Sequence, residues 1–244
     1  MSIFPEAQAK AILTKVVGFS QADECTAQLN GATRGNVRFA RNDVSTAGVT
    51  DDVQLAVQVA FGKRVGTATI NQFDDASLQR VVRRAEELAR LAPENPEFMP
   101  AVPQQTYLKT NTFSAPTAAI DPAYRAKVAS DSIGPCRAEN LVAAGYLEDQ
   151  AGFVAFMNSK GNYGYQTSTS SDYTCTVRTP DGRGSGWVGH NVQDVAQFNA
   201  GEDIRVAMRK ASASAGAQAL EPGKYTVILE PAAAAGLVAF MMYF

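Results

Sequence analysis

Two spacings of apolar residues divide the chain: one every three to four positions predicts helices, and one every second position predicts strands. Residues 5–17 read as a helix with Ala9, Ile12, Leu13 and Val16 on one face. Strand-like runs follow at 25–29, 37–40, 53–61 and 64–70, with Asn30-Gly31 and Gly62-Lys63 at the joints where turns need glycine. In the third run Val53, Leu55, Val57, Val59 and Phe61 alternate with Gln54, Ala56, Gln58 and Ala60, the period of a half-buried antiparallel strand. Residues 74–92 give the clearest helix. Leu78, Val81, Val82, Ala85, Leu88 and Ala89 form its stripe, Asp75 is placed to cap it, and Arg83 with Glu87 and Glu86 with Arg90 make i,i+4 pairs on the outer face. Pro93, Pro96, Pro100 and Pro103 mark an extended connector.

The second part of the chain repeats this alternation. A helix is predicted over 121–132, entered through Asp121-Pro122, and strands over 141–147, 153–157, 163–178 and 186–189. Asn158-Ser159-Lys160-Gly161 and Pro180-Asp181-Gly182 are turns between them, and the Thr- and Ser-rich stretch 166–177 alternates like an exposed sheet face. A helix over 202–218, Pro222-Gly223 and a strand over 225–229 complete the pattern, with no repeat of solenoid length. Segregated helices and meanders indicate an α+β fold with mainly antiparallel sheet, in two sub-domains. The expected organisation is an amino-terminal α+β domain (1–95), a Pro-rich connector (96–120), a central α+β region (121–222) and the start of a further domain (223–244). The closing apolar run, 232–244, is shorter than the roughly 20 residues that span a bilayer. It ends without a capping residue, so the chain is expected to stop short of a carboxy-terminal β-rich domain.

Composition narrows the chemistry. The 244 residues are 45% hydrophobic and 19% charged, which excludes wholesale disorder. A net charge of −2 offers no basic field for phosphates, so no nucleic-acid partner is expected. Cys25, Cys136 and Cys175 form no close pair, which fits a reducing compartment, and the opening MSIFPEAQAK lacks a secretory profile, so a cytoplasmic location and no membrane association are expected. His190 is the single histidine, so no metal site built on two histidines can form within the chain. It reads as a loop residue, and the three cysteines read as small buried hydrophobes. Gly184-Ser185-Gly186-Trp187-Val188-Gly189 has the glycine spacing of a dinucleotide loop, but 186–188 is better as a strand than as a helix entry. The acidic pairs Asp51-Asp52, Asp74-Asp75 and Glu86-Glu87 read as turn, capping or outer-face residues. No catalytic, cofactor-binding or metal-ligating set is assigned from the residues.

At Met157-Asn158-Ser159-Lys160-Gly161, in the later helix with its Ala-x-x-x-Ala spacing, and at Pro222-Gly223-Lys224-Tyr225-Thr226-Val227-Ile228-Leu229, the chain resembles the TldD/PmbA family, metallopeptidase-related proteins once called modulators of DNA gyrase. The resemblance implies a hydrolase component, a homo- or heterodimer that encloses a chamber for proteolysis of peptides or unfolded segments. It also implies zinc in a metal-bearing subunit, held by a His-Glu-x-x-x-His helix and a later Cys. The equivalent positions here fall at about Ala239, Phe240 and Phe244, which carry no donor. The chain is therefore nearer the PmbA-like branch without the metal motif, with zinc expected only in a partner subunit. A non-catalytic peptide-binding or assembly module of the same family is the alternative, and 166–177 reads first as an ordinary solvated strand and second as the candidate edge for an extended peptide.

Overall fold

The computed structural model describes residues 3–243. The helix α1 (Glu6–Phe19) leads into β1 (Glu24–Ala40), β2 (Asp43–Phe61) and β3 (Arg64–Ile70), then α2 (Asp75–Leu91). After the connector come the short α3 (Ala115–Ala118) and α4 (Pro122–Ala138), followed by β4 (Val142–Asn158), β5 (Tyr163–Arg178) and β6 (Ser185–Val192). A 3-10 turn (Val195–Gln197), α5 (Ala200–Ser214) and α6 (Pro231–Tyr243) close the chain. The α+β class with antiparallel meanders holds.

All six strands form one antiparallel sheet in the order β3-β2-β1-β4-β5-β6. The two meanders meet along β1 and β4, which pair from Thr26↔Asn158 to Phe39↔Gly145. The halves share one plan. Adding 118 to a residue number carries the first hairpin register onto the second (24 to 142 and 60 to 178, for Glu24↔Ala60 and Val142↔Arg178) as far as Arg38↔Thr46, beyond which a bulge shifts the first hairpin by one residue. The same step carries Thr33 onto its own partner Ala151, so a local two-fold axis passes between them.

Every second residue of β1, from Cys25 through Leu29 to Phe39, points into the core except at Thr33. One buried cluster gathers Cys25, Ala27 and Leu29 with α1 and α2, and the other gathers Val37 and Phe39 with α4 and α5. Helices α1, α2, α4 and α5 therefore back one face of the sheet. The other face is polar, with Gln28, Arg34 and Arg38 exposed on β1.

Several expected elements differ. Asn30-Gly31 lies within the continuous strand β1, and the turn falls at Arg41-Asn42, whose φ of 53° and 61° suit a tight hairpin. The inward parity of Leu29 and Gly31 resumes at Gly35 and Val37 after Ala32 and Thr33 interrupt it, and Gly31 and Gly35 contribute no apolar bulk to reveal it. Likewise 141–147 and 153–157 are parts of one strand, β4, and Asp51-Asp52 lies within β2. Asp74, not Asp75, caps α2: its carboxylate accepts from the Ser77 N–H at 3.0 Å, and hydrogen bonding from the Ser77 side chain and then its backbone holds the Asp74 pKa below the ordinary value. The ion pairs on α2 run i,i+3, Arg83–Glu86 and Arg84–Glu87, and Arg90 lies 4.3 Å from the Phe61 ring centre. Residues 225–229 form no strand and lie exposed, with Ile228 99% accessible. The expected Asn158–Gly161 turn is present between β4 and β5, with Gly161 at φ 85° and Asn158 Oδ1 accepting from the N–H groups of Lys160 and Asn162.

Candidate functional site

His190 sits in β6, not in a loop, and its Nε2 lies 2.9 Å from Asp203 Oδ1 on α5. Partial burial raises the Asp203 pKa above the usual carboxylate value, and the neighbouring His190 opposes the rise. The cysteines cannot complete a nucleophilic site, because burial pushes the Cys25 and Cys175 thiols up to about 11 and Cys136 to about 12. They pack as core residues, as their sequence context suggests. The glycines of 184–189 are used for packing. A Cβ on Gly186 would stand 2.0 Å from Ala207 O, and one on Gly184 2.2 Å from Ala211 O, so these positions let α5 lie close on β6. Gly189 lies within the strand and α5 opens only at Ala200, which removes the geometry of a dinucleotide loop.

Glu86 departs furthest from its expected place on the outer helix face. It is 1% exposed and accepts from the Gln21 backbone N–H at 2.6 Å and from Arg83 at 3.0 Å. A second buried charge was not anticipated at all. Arg125 on α4 grips Asp149 on β4 with two bonds of 2.5 and 2.7 Å, and its guanidinium lies against Gly35, where a Cβ would be 1.8 Å from Nη2. Asp149 follows Glu148 in the middle of β4, paired with β1 and β5 on either side, and only the three-dimensional crossing of α4 over the sheet brings Arg125 to it.

Ala239 and Phe240, at the positions implied for metal ligands, lie on α6, and Phe244 falls outside the described residues. Alanine and phenylalanine side chains supply no donor, and among the described residues no group of three or more His, Cys, Asp or Glu converges to hold a metal ion. The residues do not fit zinc.

The arrangement that remains is a pair of half-edges on one sheet. The candidate open edge, 166–177, is not open. Residues Ser171–Arg178 of β5 lie between β4 and β6, and the rest is screened by the connector. There the Thr169 N–H donates to Thr112 O at 2.9 Å, Thr112 Oγ1 to Thr167 O at 2.8 Å, and the Ser114 N–H to Thr169 Oγ1 at 2.9 Å. Upstream, Asn162 anchors the same segment by accepting from the Gln105 N–H at 2.8 Å and donating to Val102 O at 3.0 Å. Between this strap and the start of β5 runs a groove of about 490 Å³ flanked by Tyr107, Tyr163 and Tyr165. The other half-edge is on β2. Its pairing with β3 begins only at Leu55↔Ile70, and every residue from 43 to 52 is exposed. Sequence reasoning missed both half-edges, since period-two alternation identifies a strand but not its neighbours.

A helix-backed antiparallel sheet of two like halves, holding part of its own connector along one half-edge, defines an α+β scaffold module. Residues 29–89 match the family described as PmbA/TldA metallopeptidase domain 1, and this match supports the resemblance to the TldD/PmbA family. Among curated proteins none matches the sequence. Three solved structures share the fold. TldE from Thermococcus kodakarensis aligns at 13% identity with a TM-score of 0.75, over 83% of this chain and 47% of its own. A protein from Thermotoga maritima described as a modulator of a DNA gyrase aligns at 11% identity and TM-score 0.77, over 88% and 50%. One of the same description from Bacteroides thetaiotaomicron aligns at 14% and 0.79, over 98% and 56%. The chain thus spans about half the length of these structures. Among the described residues no helix is long and apolar enough to cross a membrane.

Proposed function

We propose that the chain is the amino-terminal portion of a TldD/PmbA-type metallopeptidase subunit, a cytoplasmic protein that takes part in intracellular proteolysis of peptides or unfolded segments. In this reading it pairs with a second subunit of the same family and holds polypeptide in extended form. The zinc and the hydrolytic step belong to a metal-bearing partner, since Ala239 and Phe240 offer neither a ligand nor a base. The observation that carries the reading is the connector strap on β5: Thr169 and Thr112 join through the backbone, and main-chain pairing accepts an extended segment whatever its side chains. The family's description as metallopeptidase domain 1 supports the assignment to proteolysis.

The test is to co-express the longer protein with a metal-bearing family member and to follow cleavage of unfolded casein. The two are expected to co-elute and to cleave casein in a chelator-sensitive reaction, faster than the metal-bearing subunit alone. Separate elution, or no gain in rate over that subunit, overturns the reading.

A further inference from the structure

We propose that residues 43–52 of β2 are a docking edge for an extended segment of another polypeptide, one with a large apolar side chain at its centre and basic residues at its ends. The proposal goes beyond the peptidase reading and depends on no metal and no hydrolysis.

The two-fold relation between the halves makes the case, because it shows what a filled version of this edge looks like. In the second half Tyr163, opposite Met157, and Tyr165, opposite Ala155, pack against the core cluster beneath α1. Their hydroxyls donate to Glu6 O at 3.4 Å and Phe4 O at 2.9 Å. Matched by strand partner across the bulge between Arg38 and Phe39, which leaves Ser45 without an opposite residue, the equivalent places in the first half are Val44, opposite Phe39, and Ala47, opposite Val37. The missing rings leave an apolar slot of about 320 Å³ between β2 and the start of α4, walled by Val37, Val44, Ala47, Val49, Pro122 and Ala126. The Arg125 guanidinium does not fill it, being committed to Asp149. The outer side differs in the same sense. The second half carries the connector strap there, whereas no other described segment pairs with 43–52 beyond β1. Val44 is 48% and Val49 56% exposed.

Seven uncharged residues in a row, Val44-Ser45-Thr46-Ala47-Gly48-Val49-Thr50, hold no lysine and no proline, the usual guards of a bare edge. Charges stand at the ends, with Asp43 before the run and Asp52 after it, while the Asp51 carboxylate between is engaged by Thr33 Oγ1 at 3.0 Å. They select the occupant. A second copy pairing antiparallel about the middle of residues 43–52 would set Asp43 against Asp52, and like charges directly opposite destabilise a ladder. A segment with lysine or arginine at both ends meets the same positions favourably, and a central aromatic or long aliphatic side chain fills the slot that Ala47 leaves.

Amide hydrogen exchange on the whole chain tests this with two synthetic ten-residue peptides, both alternating threonine and valine around a central phenylalanine, one flanked by lysines and one by glutamates. The lysine-flanked peptide is expected to slow exchange across 43–52 by roughly tenfold or more, and the glutamate-flanked one to bind at least about fivefold more weakly. Ala47→Tyr, at an exposed position, is expected to close the slot and to abolish the preference for phenylalanine over alanine at the peptide's centre. Val49→Ser should weaken binding without changing the fold. Unchanged exchange over 43–52 at saturating peptide, or protection confined to 163–170, overturns the proposal. So does concentration-dependent dimerisation that protects 43–52 without peptide, which would assign the edge to a second copy.

Discussion

Glu86 brings a carboxylate into the gap between α2 and the chain leaving α1, where it binds the Gln21 N–H and Arg83. Removing the acceptor strands a part-buried backbone donor and leaves Arg83 without its partner, so Glu86→Ala should destabilise the fold by about 1–3 kcal/mol. Glu87, one residue on, pairs with Arg84 at a surface where both side chains are more than half exposed. Its replacement by alanine should stay within about 0.5 kcal/mol of wild type. Urea denaturation of the two variants checks the contrast, with unchanged slopes and a lowered midpoint for Glu86→Ala alone. A signal for this burial existed in the sequence. Glu86 stands one helical turn after Val82 and beside Ala85 and Ala89, so it borders the apolar stripe, whereas its charge alone suggests the outer face.

Among the elements, α2 and α5 owe their close seating to glycines on or beside the neighbouring edge strand. A Cβ on Gly66 would stand 2.2 Å from Ala85 O, as one on Gly186 would stand 2.0 Å from Ala207 O. Either alanine substitution must push a helix backbone away from the sheet, at a cost of about 1–3 kcal/mol. Gly18→Ala, on the exposed side of α1 with nothing within 4 Å, should instead stabilise by about 0.4–1 kcal/mol. Thermal melts of the three variants separate these signs. Element type was legible wherever apolar side chains kept the period, as in α2 and in 53–61. Strand length was not, because Gly31 and Gly35 keep the inward parity of β1 without the bulk that advertises it. The half-edges could not be read at all. Which strand lacks a neighbour depends on β3 stopping at Ile70, and on the connector folding back to Thr169. Residues 225–229 had strand-like composition but lack any pairing partner among the described residues.

Across the whole molecule, the halves are distinct cores on one continuous sheet, and the cysteines divide between them. Cys25 lies in the cluster under α1 and α2, and Cys136 and Cys175 in the one under α4 and α5. Each is at most 2% exposed, and burial keeps each thiol protonated well above neutral pH. In the native protein all three should therefore resist an alkylating reagent, reacting only when the surrounding core opens. Since β1 runs through both clusters, the two cores are expected to open together, so mass spectrometry of a timed iodoacetamide pulse in mild denaturant should find all three sites modified in the same molecules. Molecules modified at Cys25 alone would mean that the halves melt in turn. The scatter of three thiols, which suggested no chemistry, thus equips the protein with a native stopwatch on each of its hearts, readable without adding a dye or altering a residue.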